Sequence, residues 1–356
     1  MFRFRDEGMA QRIMTSLRRY ELDLSFMHVC GTHQDTLVKF GLEEMLSQAG
    51  IDIRQGPGCP VCVTSTREIA DAMALAESGL TLAVFGDMMH VPTPRGSLAE
   101  MKAEGHDVRI VYSIEDAIRL AEGGRQVVFM AIGFETTVPT TAVPLMDGVP
   151  ENFSVYSCHR TIPPALEAIF QMGELRLDGF IQPGHVATII GTEPFRTFSR
   201  RFHIPQVVSG FEPLDLLMSI HMLVSQIRDG RAEVENEYSR LVDDEGNPRA
   251  IRSIDEVFRP ADVPWRGFPV IPASGLELRE EFDQHNAKLT HQDVLDDLPP
   301  VEEEKSGCRC GEVLRGLIDS RQCPAFGKGC TPRSPLGPCM VSREGSCNIS
   351  YRYGKR

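Results

Sequence analysis

Residues 24–40 read LSFMHVCGTHQDTLVKF: an apolar, β-rich run that breaks at Cys30-Gly31 into a polar stretch of helical character. The same grammar recurs in TLAVFGDMMH (81–90), QVVFMAIGFETT (126–137), DGFIQPGH (178–185) and PQVVSGFEPLD (205–215). Each run is short and apolar, ends at Gly or Cys, and hands over to a helix. Strands alternating with amphipathic helices predict βαβ units and parallel sheets. In open α/β sheets ligands bind beyond the carboxyl ends of the strands. That rule gathers Cys30, Asp87, His90, Glu135, His185 and Glu212 as candidates for one cleft. Gly133-Phe134-Glu135-Thr136 and Gly210-Phe211-Glu212-Pro213 read as the same strand-to-helix corner used twice, which predicts two similar α/β lobes.

Composition narrows the function. The chain has 356 residues, 42 % of them hydrophobic, enough for a full core. A net charge of −13 and the lack of a basic run argue against nucleic acid. The N-terminal stretch lacks a signal-peptide core, and the longest apolar run, Val127 to Phe134, is too short to span a bilayer, so the expectation is a cytoplasmic protein without a membrane segment.

Ten cysteines then become the main clue, because thiols in a reducing compartment bind metal or do redox chemistry when they are not simply packed. Six of them (308, 310, 323, 330, 339, 347) fall in the last fifty residues. That tail is rich in Gly and Pro, and a metal is the usual staple for such a segment. Cys323, Cys330, Cys339 and Cys347 supply four thiolates from loops, the ligand count of a [4Fe-4S] cluster or of structural zinc, and lack the close pairs usual for zinc. Cys308 and Cys310 stand too near each other in sequence to be two easy corners of a cube. Cys59-Pro60-Val61-Cys62 is a C-x-x-C able to cycle between dithiol and disulfide, with a helix expected to start just beyond it and to lower a thiol pKa. Cys30 with His33 suits either a nucleophile and base or a soft metal site, against the plainer reading of a packed thiol. Glu135 and Thr136 sit at a helix start, where capping and anion capture are both open. The segment 230–240, GRAEVENEYSR, reads as helix, and 296–305, DDLPPVEEEK, as an acidic linker.

The ordered set Cys30-Gly-Thr-His33, GPGCPVC (56–62), GFETT (133–137), PGHVATIIG (183–191), GFEPLD (210–215), IPASGLEL (271–278) and the CRCGEVLRG…CPAFGKGC…GPCMVSREGSC tail resembles the HypD family of [NiFe]-hydrogenase maturation factors. The resemblance runs from about residue 26 to 351. It implies assembly of the Fe(CN)2CO unit of [NiFe] hydrogenase with a HypC-type small chaperone and a HypE-type cyanide donor, and indirectly with the hydrogenase large subunit. It further implies a [4Fe-4S] cluster in the tail, two α/β lobes around a cleft, and a smaller iron–sulfur-bearing domain formed from the chain termini. Cys30 would hold the nascent iron, with His33 beside it, and Cys59 and Cys62 would relay electrons. Asp35 departs from the family pattern, which often has a second His there. The expected divisions are an N-terminal segment (1–25) packing with the cluster domain, lobes at 26–125 and 126–228, and a linker with the Cys-rich domain at 229–356. Two other readings fit the cysteines alone: a thiol–disulfide oxidoreductase resembling ferredoxin–thioredoxin reductase, and a scaffold holding structural zinc.

Overall fold

The computed structural model describes residues 6–301 and 307–354, so Glu302–Lys305 of the expected acidic linker lie outside the described residues. Eleven strands are named here in chain order: β1 Leu24–His28, β2 Ile51–Gln55, β3 Thr81–Phe85, β4 Val108–Val111, β5 Val127–Gly133, β6 Phe153–His159, β7 Gly179–Pro183, β8 Gln206–Ser209, β9 Val234–Asn236, β10 Phe258–Pro264 and β11 Val270–Leu278. The first nine form two wholly parallel sheets, in the orders β2-β1-β7-β8-β9 and β4-β3-β5-β6. Helices cover the sheets, and every residue of β5 and β6 is buried, as strands need to be when both faces are packed. β10 and β11 make an antiparallel hairpin beside β6, where Ser157 Oγ donates to Leu276 O at 2.5 Å. No helix among the described residues is long and apolar enough to cross a membrane.

The first four strands of each sheet share one order. In both, the chain steps outward to one side (β1 to β2, β3 to β4), returns to the far side of its starting strand, and continues away (β7 to β8, β5 to β6). The crevice between the two directions is where an open parallel sheet leaves room beyond its strand ends. It falls between β1 and β7 in one sheet and between β3 and β5 in the other.

This topology corrects several sequence expectations. A division at residue 125 fails because β3 pairs with β5 and β1 with β7, so each sheet draws strands from both sides of it. The corner Gly133-Phe134-Glu135 follows the third strand of its sheet order, whereas Gly210-Phe211-Glu212 follows the fourth strand of the other, so the two are not equivalent positions. Among the described residues, the main packing partner of the N-terminal helix Glu7–Leu17 is not the cysteine-rich tail. Its apolar stripe, Ile13, Met14 and Leu17, packs with Leu217, Ile220 and Val224 of the helix Pro213–Arg228 and completes the cover of the first sheet. Within 230–240, Val234–Asn236 is the edge strand β9, since pairing with β8 outweighs the modest helix propensity of an isolated charged segment. The stretch after residue 228 is shared between the sheets rather than forming one unit with the tail: β9 extends the first, and the helix Pro248–Val257 packs against Val138–Asp147 beside the second.

A buried ion pair keys the second sheet to its helix. Arg160 Nη2 donates to both carboxylate oxygens of Glu68 at 2.7 Å, and Glu68 in turn accepts from Ser65 N at 2.9 Å at the start of the helix Thr66–Glu77. The side chains are 2 % and 8 % exposed, so removing one partner strands a charge in a low-dielectric interior. Glu68→Ala is expected to lower unfolding free energy by about 3–5 kcal/mol in urea denaturation. Glu68→Met with Arg160→Leu should recover most of that loss. A loss under about 1 kcal/mol in the single variant would show that the pair is screened.

Candidate functional site

The site is built around the loop that follows β1. Cys30 sits in extended backbone (φ −147°, ψ 128°) as the residue before the helix Gly31–Lys39, and it is 9 % exposed. The loop after β2 is pressed onto it. Gly31 N donates to Gly58 O at 3.3 Å, and a Cβ on Gly58 would meet Cys30 N at 2.2 Å. Only glycine allows these backbones so close. Burial pushes the Cys30 thiol up to about 11, and the carboxylate of Glu344 pushes the same way, against the N–H groups of His33 and Thr32.

His33 is fully buried. Its Nε2–H donates to Gly210 O at 3.0 Å, which leaves Nδ1 as an acceptor nitrogen without a protein partner among the described residues. Burial lowers its pKa to about 3, so the ring is neutral at physiological pH. Its face stacks on Phe211 with centroids 4.9 Å apart, and His185, which follows β7, stacks on Phe211 at 3.7 Å. The β1/β7 crevice thus joins Cys30, His33 and His185. Asp35 on the same helix is partly exposed.

Cys59 and Cys62 are joined as a disulfide with Cα atoms 5.2 Å apart, and they are 1 % and 0 % exposed. Cys59 precedes the short helix Pro60–Val63, and the longer helix expected after the pair begins at Thr66. The tail then closes over both loops. The helix Pro338–Val341, which carries Cys339, packs on Pro60–Val63, and Ser346–Tyr353, which carries Cys347, packs on Gly31–Lys39.

Within the tail, Cys323, Cys330, Cys339 and Cys347 line one cavity, and Cys308 and Cys310 belong to the same wall. The thiol of Cys310 interacts with those of Cys308 and Cys339. The remaining lining is Val313, Ala325, Phe326, Gly337 and Met340, so the cavity presents sulfur in an otherwise apolar shell. No three His, Cys, Asp or Glu side chains among the described residues are gathered tightly enough for a single metal ion. Six cysteines of the tail share the lining of that one cavity.

Other sequence candidates are placed apart. Glu135 ends the loop after β5, and its Oε1 accepts from Ile162 N at 2.8 Å, so it caps the helix Ile162–Met172 rather than the helix that follows it in sequence. Burial raises its pKa to about 7, and Oε2 has no protein partner among the described residues. Thr136 faces solvent. Glu212 is the residue before the helix Pro213–Arg228, where its N–H donates to Asp215 Oδ2 at 3.1 Å. His90 is exposed. Cys158, read as packing, is buried in β6. Asp87 accepts from Ser342 Oγ at 3.1 Å, and Ser342 leads into Glu344, whose side chain lies against Gly31: a Cβ there would meet Glu344 Cβ at 2.6 Å. The sequence reading missed Ser342, Glu344 and Arg266. Glu344 lies between Cys339 and Cys347, and nothing in its local pattern distinguishes it from a solvated acid.

The HypD family model, described as the hydrogenase formation hypA family, matches residues 6–354. A putative hydrogenase expression/formation protein of Methanocaldococcus jannaschii is 46 % identical over 336 residues, covering 93 % of this chain and 92 % of that protein. The hydrogenase maturation factor HypD of Rhizobium leguminosarum bv. viciae is 41 % identical over 369 residues (99 % and 94 %). That of Escherichia coli K12 is 41 % identical over 344 residues (94 % and 90 %). A match spanning nearly the whole described chain, with relatives above 40 % identity at this coverage, shows that the chain belongs to the HypD family of hydrogenase maturation factors.

Proposed function

We propose that the chain builds the Fe(CN)2CO unit of [NiFe] hydrogenase, with Cys30 holding the nascent iron and with electrons drawn through the tail and the Cys59/Cys62 pair. One observation carries this reading. A single tail brings the six-thiol cavity against both the C-x-x-C segment and the Cys30 helix.

The donor set of the cavity fits a [4Fe-4S] cluster: its only polar side chains are thiols, in an otherwise apolar lining. Cys323, Cys330, Cys339 and Cys347 are the proposed ligands. Cys30 offers iron a soft sulfur donor suited to a metal bearing cyanide and carbonyl. His33, neutral down to about pH 3, keeps its Nδ1 lone pair for a metal rather than for a proton. A HypC-type chaperone would bring a second thiolate, and a HypE-type donor would bring cyanide as a sulfur-bound thiocyanate-like group. Releasing that group takes two electrons, R–S–C≡N becoming R–S⁻ and CN⁻. Two thiols closing to a disulfide yield two electrons and two protons, so one turn of the Cys59/Cys62 pair balances one cyanide. When bound, the cluster would supply single electrons from a low-potential donor to return that disulfide to the dithiol.

The burial of Cys59 and Cys62 argues against a reductase of external protein disulfides, because an incoming protein thiol must reach the attacked sulfur.

Cys30→Ser, a nearly isosteric change, is expected to keep the tail cluster yet lose the CO and CN⁻ infrared bands of the anoxically purified complex with the chaperone. Normal bands in the folded variant would place the iron elsewhere. Cys323→Ala or Cys339→Ala should abolish visible iron–sulfur absorption and bring bound iron and sulfide near zero; a full four-iron complement would refute the ligand assignment. For Cys59 and Cys62, differential alkylation under denaturing quench should find a disulfide in air and two thiols after a low-potential dithiol. Persistent free thiols under mild oxidant would remove the pair from the electron route.

A further inference from the structure

Arg266 stands where the C-x-x-C segment meets the tail cavity. It belongs to the tight connection between β10 and β11, and it is 9 % exposed. Two hydrogen bonds fix it to the chain just beyond Cys62: its N–H donates to Val63 O at 2.9 Å and its Nε–H to Thr64 O at 3.0 Å. On its other side the connection touches the tail backbone. Gly267 (φ +77°) lies so near Gly311 that a Cβ on it would meet Gly311 Cα at 2.3 Å. Arg266 therefore lines a pocket with Cys308, Cys310 and Gly337, on the outer side of the cysteine cavity.

Two other arginines of this pocket wall are neutralised. Arg309 pairs with Glu312, and Arg315 Nη1 lies 2.6 Å from Glu174 Oε1. Arg266 has no carboxylate partner among the described residues, and its buried Nη2 has no hydrogen-bond partner there either. A buried charge with nothing to balance it is costly. Arg266 lines the same pocket as Cys308 and Cys310, and both of these also line the cavity that contains Cys339.

We propose that Arg266 is a positioning residue for the electron route, a fixed positive charge whose counter-charge is the thiolate-bound cluster itself and which raises the cluster's reduction potential. This rests on the cluster assignment above. A cluster gains one negative charge on one-electron reduction, so a nearby guanidinium favours the reduced form. The same residue holds both carbonyls after Cys62, Val63 O through its backbone N–H and Thr64 O through Nε–H, which keeps the disulfide segment in register with that charge.

The test is a dye-mediated redox titration of the full-length, anoxically reconstituted protein, followed by the spectrum of the reduced cluster. Arg266→Gln is expected to bind the same iron and sulfide as the parent and to show a more negative midpoint. Arg266→Lys, which keeps the charge, should return the midpoint toward the parent value. Pro92→Glu adds a negative charge to the wall of the same pocket and leaves the hydrogen bonds of Arg266 in place. It is expected to move the midpoint in the same direction as Arg266→Gln, and it decides the matter alone if Arg266→Gln does not retain cluster. An unchanged midpoint in cluster-loaded Arg266→Gln, or in Pro92→Glu where the former cannot be loaded, overturns the proposal. A parent protein that binds no cluster overturns the cluster assignment instead.

Discussion

The contact on which the site depends is between two backbones. Gly58 lies against Val29 and Cys30 at a distance no side chain could share, and the loops after β1 and β2 become one surface. The parallel pairing of β1 and β2 delivers both loops to the same sheet end, and the lack of a Cβ allows them to merge. Cys30 and Cys59 then belong to one wall although 28 residues lie between them in the sequence. The tail helices can pack on both at once because that wall is continuous. A methyl group at residue 58 would part the loops and leave the tail without a common floor.

Burial governs the chemistry of that wall. Cys30, His33 and the Cys59–Cys62 disulfide are all withdrawn from water, which favours a neutral thiol and a neutral imidazole at Cys30 and His33. Such a pocket is poor at acid–base work and well suited to soft, covalent ligation, where a metal replaces the proton. Glu344 beside Cys30 strengthens that preference, while Arg266 beside the cavity works against it. The two side chains differ in sign: Glu344, from the tail, lies against the Cys30 loop, and Arg266, from the β10–β11 connection, lines the pocket beside the cysteine cavity.

The parallel sheets supply the frame. Both use the same order in their first four strands, so both have a crevice where the chain changes direction. In the first sheet that crevice receives Cys30, His33 and His185. In the second, the flanking loops carry Asp87, which reaches the tail through Ser342, and Glu135, which is spent capping a helix. Equivalent topology has thus been put to unequal uses.

Much of this was legible beforehand. Short β-rich apolar runs such as QVVFMAIG, alternating with amphipathic helical stretches, pointed to parallel sheets, and Cys30-Gly31-Thr32-His33, GPGCPVC and the spaced tail cysteines marked the chemistry because thiols in such numbers demand an explanation. Strand order was not legible. It is decided by which side of β1 the returning chain meets, a matter of packing among segments more than a hundred residues apart. The same reason hid Glu344 and Arg266, whose importance comes from neighbours remote in sequence, and misplaced the N-terminal helix, whose apolar stripe says that it packs but not on what. Residue type and local period determine which chemistry and which elements the chain can make. Only the tertiary structure decides which buried charge faces which thiol, because Coulomb interaction and steric exclusion act through space and take no account of sequence distance.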